Sequence, residues 1–416
     1  MEGRDVDRRR AEHVAERANK PWLVIVADEQ HVAAELGFER NALDRNEARL
    51  VTAEQRAGDL AAATLAAHGY ERVKPPLVEF EETLFAGAGA TMANATFRLM
   101  DPASHRMIGV RADMTPQIVR IAAARLADAP RPLRLSYAGQ VLRVTGSEIR
   151  PERQIGQVGA ELIGAAGPAA DVEAIAVAGE ALVATGVPHL SVDITLPTLV
   201  PAVAEAYGIT GARAIALRAA LDHKDIAAVT AVAGEAGKLM GNLLAAAGPA
   251  SATLSALDRL DLPQKARVER VRLGAVLDKL SAAAPALKVT VDPVENRGFE
   301  YHTGISFTFF AGGVASHGPV GDLGRGGRYD AGDPAAPEPA TGFTLYTDTI
   351  LQTLPRSAAP RRLLLPFDLD PASARALRED GWITVAAFEC AADWRAEAYR
   401  LGCSHFLENG RPVAIG

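Results

Sequence analysis

Two stretches, LRLSYAGQVLRV (residues 133–144) and RQIGQVGAELIG (153–164), restrict the fold more than any other part of the chain. Both are rich in β-favouring residues, and only the polar loop TGSEIRPE separates them. They read as an antiparallel pair, the arrangement a short connection allows. In the second, alternation sends Gln157, Gly159 and Glu161 to one face and Val158, Ala160 and Leu162 to the other. A strand face made of Gln, Gly and Glu is unusual in a core sheet. Either that face meets solvent or it floors a ligand pocket.

The flanking segments extend the pattern. An apolar stripe at Leu50, Leu60, Ala61, Thr64 and Leu65 predicts a helix over Glu47–His68, stopped by Gly69. YERVKPPLVEF (70–80) reads as an edge or interface strand, because its proline pair cannot donate to a central ladder. Two strands joined by a turn at Asp101–Ser104 come next. A helix then starts near Thr115–Pro116, with proline in its first turn and a hydroxyl cap before it. A helix over 168–187 and the strand HLSVDITL follow, and about 197–285 is Ala- and Leu-rich and helical. Strands return at LKVTVDP and run through 295–310. GDLGRGG (321–327) lacks the strand-then-helix setting of a phosphate loop. It reads as a tight connection that lets Arg328 and Tyr329 approach a pocket. ATGFTLYTDTILQTL is then a strand running into a helix.

Strands gathered in runs with helices between the runs predict an α+β fold with an antiparallel main sheet and flanking helices. Three regions follow: a charged extension over 1–44, a core over 45–355 with its helical insertion, and a small C-terminal α/β module over 361–416. Pro355–Pro360 is the expected linker.

Composition removes several function classes. A net charge of −7 gives no electrostatic footprint for nucleic acid, so none is expected as a partner. The longest apolar runs, such as WLVIVA and RLLLPF, are too short to span a bilayer, and the charged N-terminus is no secretory signal. A cytoplasmic protein is expected. Cys390 and Cys403 lack the spacing of a metal site and read as two reduced thiols, so neither metal nor cofactor is predicted.

Three polar groups interrupt the apolar strands. Asp113 and Thr115 share a face if extended and could receive an ammonium group, or could simply cap the next helix. Gln157 and Glu161 are joined by Arg143 from the neighbouring strand, as part of a pocket or as an internal salt bridge. ENRGFEYHTGISF (295–307) brings Arg297, Glu300, Tyr301 and His302 together, and His302 is either a ligand contact or an ordinary half-buried imidazole.

The order of these segments over about 47–354 resembles the catalytic core of histidyl-tRNA synthetases, a class II aminoacyl-tRNA synthetase fold. GYERVKPPLVEF resembles the first class motif, which implies a dimer through the segment around Pro75 and Pro76. VRADMTPQ resembles an Arg-Pro-Glu-Gly-Thr segment, so Asp113 and Thr115 fall where the family holds the histidine amino group. GQVLRV with RQIGQVGAELIG resembles the second motif. Arg143 then matches an ATP-contacting arginine, here a vestigial nucleotide contact, while Gln157 and Glu161 match histidine-pocket residues. LDHKD (221–225) resembles a segment of the family's insertion. NRGFEYHTG resembles a histidine-specific motif, with Arg297 on its arginine and Tyr301 and His302 in place of two tyrosines. GGRYD (326–330) places Tyr329 beside the same ligand.

The departures from that family carry the functional expectation. TGFTLYTDTIL offers Thr347 and Asp348 where the third motif holds an arginine against the ATP γ-phosphate. Losing one charged hydrogen bond there costs about 1.5–3 kcal/mol. The loop at 145–152 also departs, and the tail is too short for the usual anticodon-binding domain. These departures resemble the synthetase-like regulatory subunits of ATP phosphoribosyltransferase. The resemblance implies a non-catalytic chain whose partner is a short-form catalytic subunit, with histidine as the effector in feedback control of histidine biosynthesis. The alternatives are an anticodon-less paralogue that still adenylates an amino acid, and a histidine-sensing module with a separate effector domain.

Overall fold

Residues 45–146, 152–295, 302–312, 321–333, 335–354 and 360–415 are described by a computed structural model. The first helix, Arg45–Ala67, ends where its sequence stops it. Gly69 takes a φ of +79°, its N–H bonds the Ala66 carbonyl, and the Tyr70 N–H reaches back to Leu65. This pairing satisfies carbonyls that a helix end leaves without partners.

The expected edge strand is in fact two short strands on either side of the proline pair. β1 (Glu71–Arg72) runs along the rim of the main sheet, and β2 (Val78–Phe80) joins a separate three-stranded sheet. Between them Arg111 donates to the Pro75 carbonyl at 2.8 Å and Gln117 to the Pro76 carbonyl at 2.9 Å. β3 (Phe97–Met100) and β4 (Met107–Val110) complete the small sheet, joined by the expected turn. The helix Thr115–Arg125 has its proline in the first turn. No hydroxyl precedes it as a cap; the carboxylate of Asp113 takes the Thr115 N–H at 2.8 Å instead.

β5 (Leu133–Leu142) and β6 (Gln154–Ile163) form the predicted antiparallel pair. After the helix Pro168–Thr185, the chain supplies β7 (Leu190–Thr195). The insertion follows, with helices from Leu199 to Ala283 interrupted by the brief β8 (Gly248–Pro249). β9 (Lys288–Asp292), β10 (His302–Ala311), β11 (Gly324–Asp333) and β12 (Ala336–Tyr346) close the sheet, and the helix Thr347–Thr353 ends the unit. The nine-stranded order is β1-β5-β6-β12-β11-β10-β7-β9-β8. Neighbours run antiparallel except at β1–β5 and β7–β9.

β11 corrects the sequence reading. The glycine-rich stretch is no loop; from Gly324 it is a full strand between β10 and β12. Glycine is disfavoured in strands when judged locally, yet here the neighbouring strands occupy the space a side chain would need. A Cβ at Gly327 would overlap the His302 ring.

One sheet face carries Val158, Ala160, Phe343, Leu345, Phe307 and Phe309 and packs on the helix Pro168–Thr185. That helix is buried over most of its circumference because the helices Arg45–Ala67 and Gln264–Ala283 cover its flanks. The other face carries Tyr137, Tyr329 and Tyr346, packed with Met114, Ile118 and Ala122. No described helix is long and apolar enough to cross a membrane.

A second compact unit begins at Pro355. It alternates strand and helix as the sequence predicts: β13 (Arg362–Leu365), a helix Pro371–Glu379, β14 (Ile383–Ala386), a helix Trp394–Arg400, β15 (His405–Glu408) and β16 (Arg411–Ala414). Its sheet has the order β14-β13-β15-β16, with small apolar clusters around Leu364 and Leu363.

Candidate functional site

The polar face of β6 does not meet solvent. Gln157 and Glu161 are each only 1% exposed, and three segments distant in sequence converge on them. Asp113 and Thr115 arrive from the start of the helix Thr115–Arg125. One Asp113 oxygen accepts the Thr115 N–H, and the other accepts Gln157 Nε2 at 3.1 Å. Gln157 Oε1 takes the Met114 N–H at 3.3 Å. Asp113 is thus both a partial cap and a member of the cluster, so the two sequence readings of it are compatible.

Glu161 sits among hydroxyls. Thr115 Oγ1 donates to its Oε1 at 3.0 Å, Tyr137 OH lies 3.4 Å from the same oxygen, and Tyr329 donates to Oε2 at 2.8 Å. Burial pushes the Glu161 pKa up to about 8; the Tyr329 and Thr115 hydroxyls pull against that, and nearby Asp113 adds to it. Burial first, then the charges of Glu161 and Asp113, also raise Tyr137.

The side chains lie flat because each crosses a glycine. A Cβ at Gly159 would overlap the Tyr137 phenol, and one at Gly342 would overlap the Glu161 carboxylate. Tyr137 therefore spans β6 to reach Thr344 of β12 at 2.7 Å, and Glu161 spans β12 to reach Tyr329 of β11. His302, on β10, is the register partner of Tyr329, and its ring lies against Gly327.

Asp113, Thr115, Gln157, Glu161 and Tyr329 thus come together, with His302 on the adjoining strand. Arg143 corrects an expectation: it bonds the Ala112 carbonyl at 3.3 Å and lies 3.8 Å from Asp113, so Asp113 rather than Glu161 is its acid. Arg328 corrects another. It turns to the opposite face, where it pairs with buried Asp171 at 2.8 Å and bonds the carbonyls of Ala165 and Gly167. Arg297, Glu300 and Tyr301 lie outside the described residues.

The sequence reading missed Tyr137 and Thr344. A clue was available, since a tyrosine in a buried strand needs a hydroxyl partner. Nothing local names Thr344 as that partner, 207 residues away.

The start of the helix Thr347–Thr353 is closed by its own contacts. Asp348 Oδ1 accepts the Gly156 N–H at 3.0 Å, and Thr347 Oγ1 donates to buried Glu54 at 2.9 Å. Acids and hydroxyls thus occupy this end of β6 on its Gly156 and Val158 side, the face opposite Glu161. The cluster as a whole presents hydrogen-bond acceptors at half-buried Asp113 and Thr115, above a closed floor of Gln157, Tyr137 and Glu161. Such a corner suits a ligand ammonium. A separate groove of about 800 Å³ in the insertion, lined by Tyr207, Leu262, Arg267, Val268 and Val271, shares no residue with it.

A family model for histidyl-tRNA synthetase matches residues 42–350, so fold and matched span together define a histidyl-tRNA synthetase-like class II core. An ATP phosphoribosyltransferase regulatory subunit from Rhodospirillum centenum is 55% identical over 344 residues, covering 83% of this chain and 87% of that one. The chain belongs to the family of ATP phosphoribosyltransferase regulatory subunits. Its fold is also that of an ATP phosphoribosyltransferase regulatory subunit/histidyl-tRNA synthetase from Bacillus halodurans. The TM-score is 0.72 at 23% identity, with 92% of this chain and 97% of that one covered. An ATP phosphoribosyltransferase HisG:HisZ complex from Thermotoga maritima contains a chain of similar fold, with a TM-score of 0.55 at 16% identity, covering 71% of this chain and 97% of that one.

Proposed function

We propose that this chain docks as a cytoplasmic, non-catalytic subunit onto a short-form ATP phosphoribosyltransferase catalytic subunit, activates it, and makes it sensitive to histidine. Histidine occupies the Asp113–Glu161 cluster, its ammonium at Asp113 and Thr115 and its side chain toward Glu161 and Tyr329. The observation that carries this reading is the contrast between the two ends of β6. The acceptor cluster around Glu161 is intact, whereas the start of the helix after β12, where the resemblance to a synthetase expects an arginine, carries Thr347 and Asp348, bonded to Glu54 and to the Gly156 N–H. Thr347 and Asp348 supply no cation to attract a triphosphate, so the arrangement supports effector binding rather than adenylation. Allosteric control then amounts to a coupling free energy of about 1–3 kcal/mol between the effector and catalytic sites.

The chain pairs with a second copy through the surface around Pro75 and Pro76. Next to it the three-stranded sheet puts Val78, Phe80, Phe97, Leu99, Ile108 and Val110 on one face by register. Val78 and Leu99 remain 42% and 44% exposed, an apolar surface that a partner copy can cover.

Reconstitution tests the proposal. The chain is mixed with a short-form catalytic subunit from the same genome, and product formation from ATP and phosphoribosyl pyrophosphate is followed with and without histidine. Activity that rises with this chain and falls with histidine is expected. No binding and no response, together with ATP–pyrophosphate exchange by the chain alone, would transfer support to the adenylating alternative.

A further inference from the structure

Thr115 has a single hydroxyl proton and two neighbours that compete to define where it points. On one side is Glu161 Oε1 at 3.0 Å, on the other Tyr137 OH at 3.1 Å. Tyr137 is 1% exposed, and beyond Thr115 its hydroxyl meets Thr344 Oγ1 at 2.7 Å and the Phe343 carbonyl at 3.4 Å. The phenol therefore has an acceptor or donor on each side and can point its own proton either way.

Two proton arrangements satisfy this chain of hydroxyls. When Glu161 is a carboxylate, Thr344 donates to Tyr137, Tyr137 to Thr115, and Thr115 to Glu161. When Glu161 is protonated the order reverses: Glu161 donates to Thr115, Thr115 to Tyr137, and Tyr137 to the Phe343 carbonyl or Thr344. In both, the Thr115 proton is used inside the network and one of its oxygen lone pairs is left over. Thr115 and Asp113 are the half-buried members, so that lone pair and the Asp113 carboxylate make up the accessible corner. Without the phenol hydroxyl the second arrangement fails. A protonated Glu161 would then donate to Thr115, whose own proton would have no other acceptor among the described residues than the pocket corner.

We infer that Tyr137 is a specificity-determining positioning residue: acting through Thr115, it keeps the open corner of the site acceptor-only, so that a ligand must bring N–H donors, as an amino acid's ammonium does. This rests on the pocket being the histidine site proposed above. The inference also accounts for Gly159, since a side chain there would keep the Tyr137 ring from crossing β6 to reach the network.

The test measures affinity of the full chain for L-histidine and for imidazole-4-propionate, which lacks only the amino group, in wild type, Tyr137→Phe and Thr344→Val. It is run at a pH of about 7, and so below the value of about 8 to which burial raises Glu161. Melting curves without ligand check that the variants fold. Wild type is expected to prefer histidine strongly. Tyr137→Phe is expected to lose histidine affinity by about tenfold, the scale of one hydrogen bond, while imidazole-4-propionate changes by less than about threefold. The ratio thus collapses even though the fold holds. Thr344→Val, which leaves the phenol in place, is expected to move the ratio in the same direction by a smaller factor. An unchanged ratio in a folded Tyr137→Phe overturns the inference and leaves the histidine site standing. If wild type binds neither compound, the site assignment fails and takes this inference with it.

Discussion

Two buried acids lie on opposite faces of the same sheet, and their surroundings differ. Glu161 and Asp171 are each 1% exposed, and burial raises the pKa of both. On the rear face, Asp171 meets a cation: Arg328 Nε reaches its Oδ1 at 2.9 Å, and Thr341 adds a hydroxyl at 2.8 Å. Arg328 opposes the upward shift there. On the front face, the groups within hydrogen-bonding distance of Glu161 among the described residues are hydroxyls, from Thr115, Tyr137 and Tyr329. A hydroxyl can donate or accept, so it supports either protonation state, whereas an arginine supports only the charged one. One acid is therefore fixed in an ion pair that ties β11 to the start of the helix Pro168–Thr185. The other is held in a setting that accommodates a change of charge. Adjacent residues of β11, Arg328 and Tyr329, serve the two faces.

This contrast can be broken most sharply from the rear. Arg328→Met leaves Asp171 buried without its cation, and removing one partner of a buried pair costs about 3–5 kcal/mol. A large drop in the denaturation midpoint is expected, and a midpoint near wild type would mean the pair is not structural.

The front face is probed by pH. A carboxyl whose folded-state pKa is raised holds its proton after the unfolded chain has released one. Stability is then fully present below the ordinary value of 4.5, declines as pH rises to about 8, and is level above that. The full loss is on the order of 3–5 kcal/mol. Glu161→Gln cannot titrate, so its stability relative to wild type is expected to increase between pH 5 and pH 8 in parallel chemical denaturation series. A difference that stays constant across that range would place the carboxyl in an ordinary environment.

The finest test separates hydroxyl from cation on the rear face. Thr341→Val removes one donor from Asp171 while Arg328 remains, and should cost about 1 kcal/mol. A loss as large as that of Arg328→Met would show that the hydroxyl, not the cation, carries the pair.

Much of this architecture was legible in the chain. Period-two alternation identified β5 and β6 and put Gln157 and Glu161 on one face, because neighbouring side chains on a strand must point to opposite sides. The Thr115–Arg125 helix and the strand–helix alternation of the C-terminal unit were legible for the same kind of local reason. The glycine-rich strand β11 was not. Its glycines reflect side chains and backbone arriving from β10 and β12, information that lies in the partner strands rather than in the stretch itself. Arg143 and Arg328 illustrate the same limit: a basic residue announces that it will seek an acid or a carbonyl, but not which one.

The sequence by itself determined the elements, the α+β class and the set of polar residues able to build a pocket, because dihedral preferences and side-chain alternation act between near neighbours. Only the tertiary structure decided which sheet face closes over Glu161, that Tyr137 reaches Thr344 across β6, and that Arg328 turns away to Asp171. These contacts join residues 157 to 207 positions apart. They depend on strand register and on the space left by single glycines, and neither exists until the sheet has assembled.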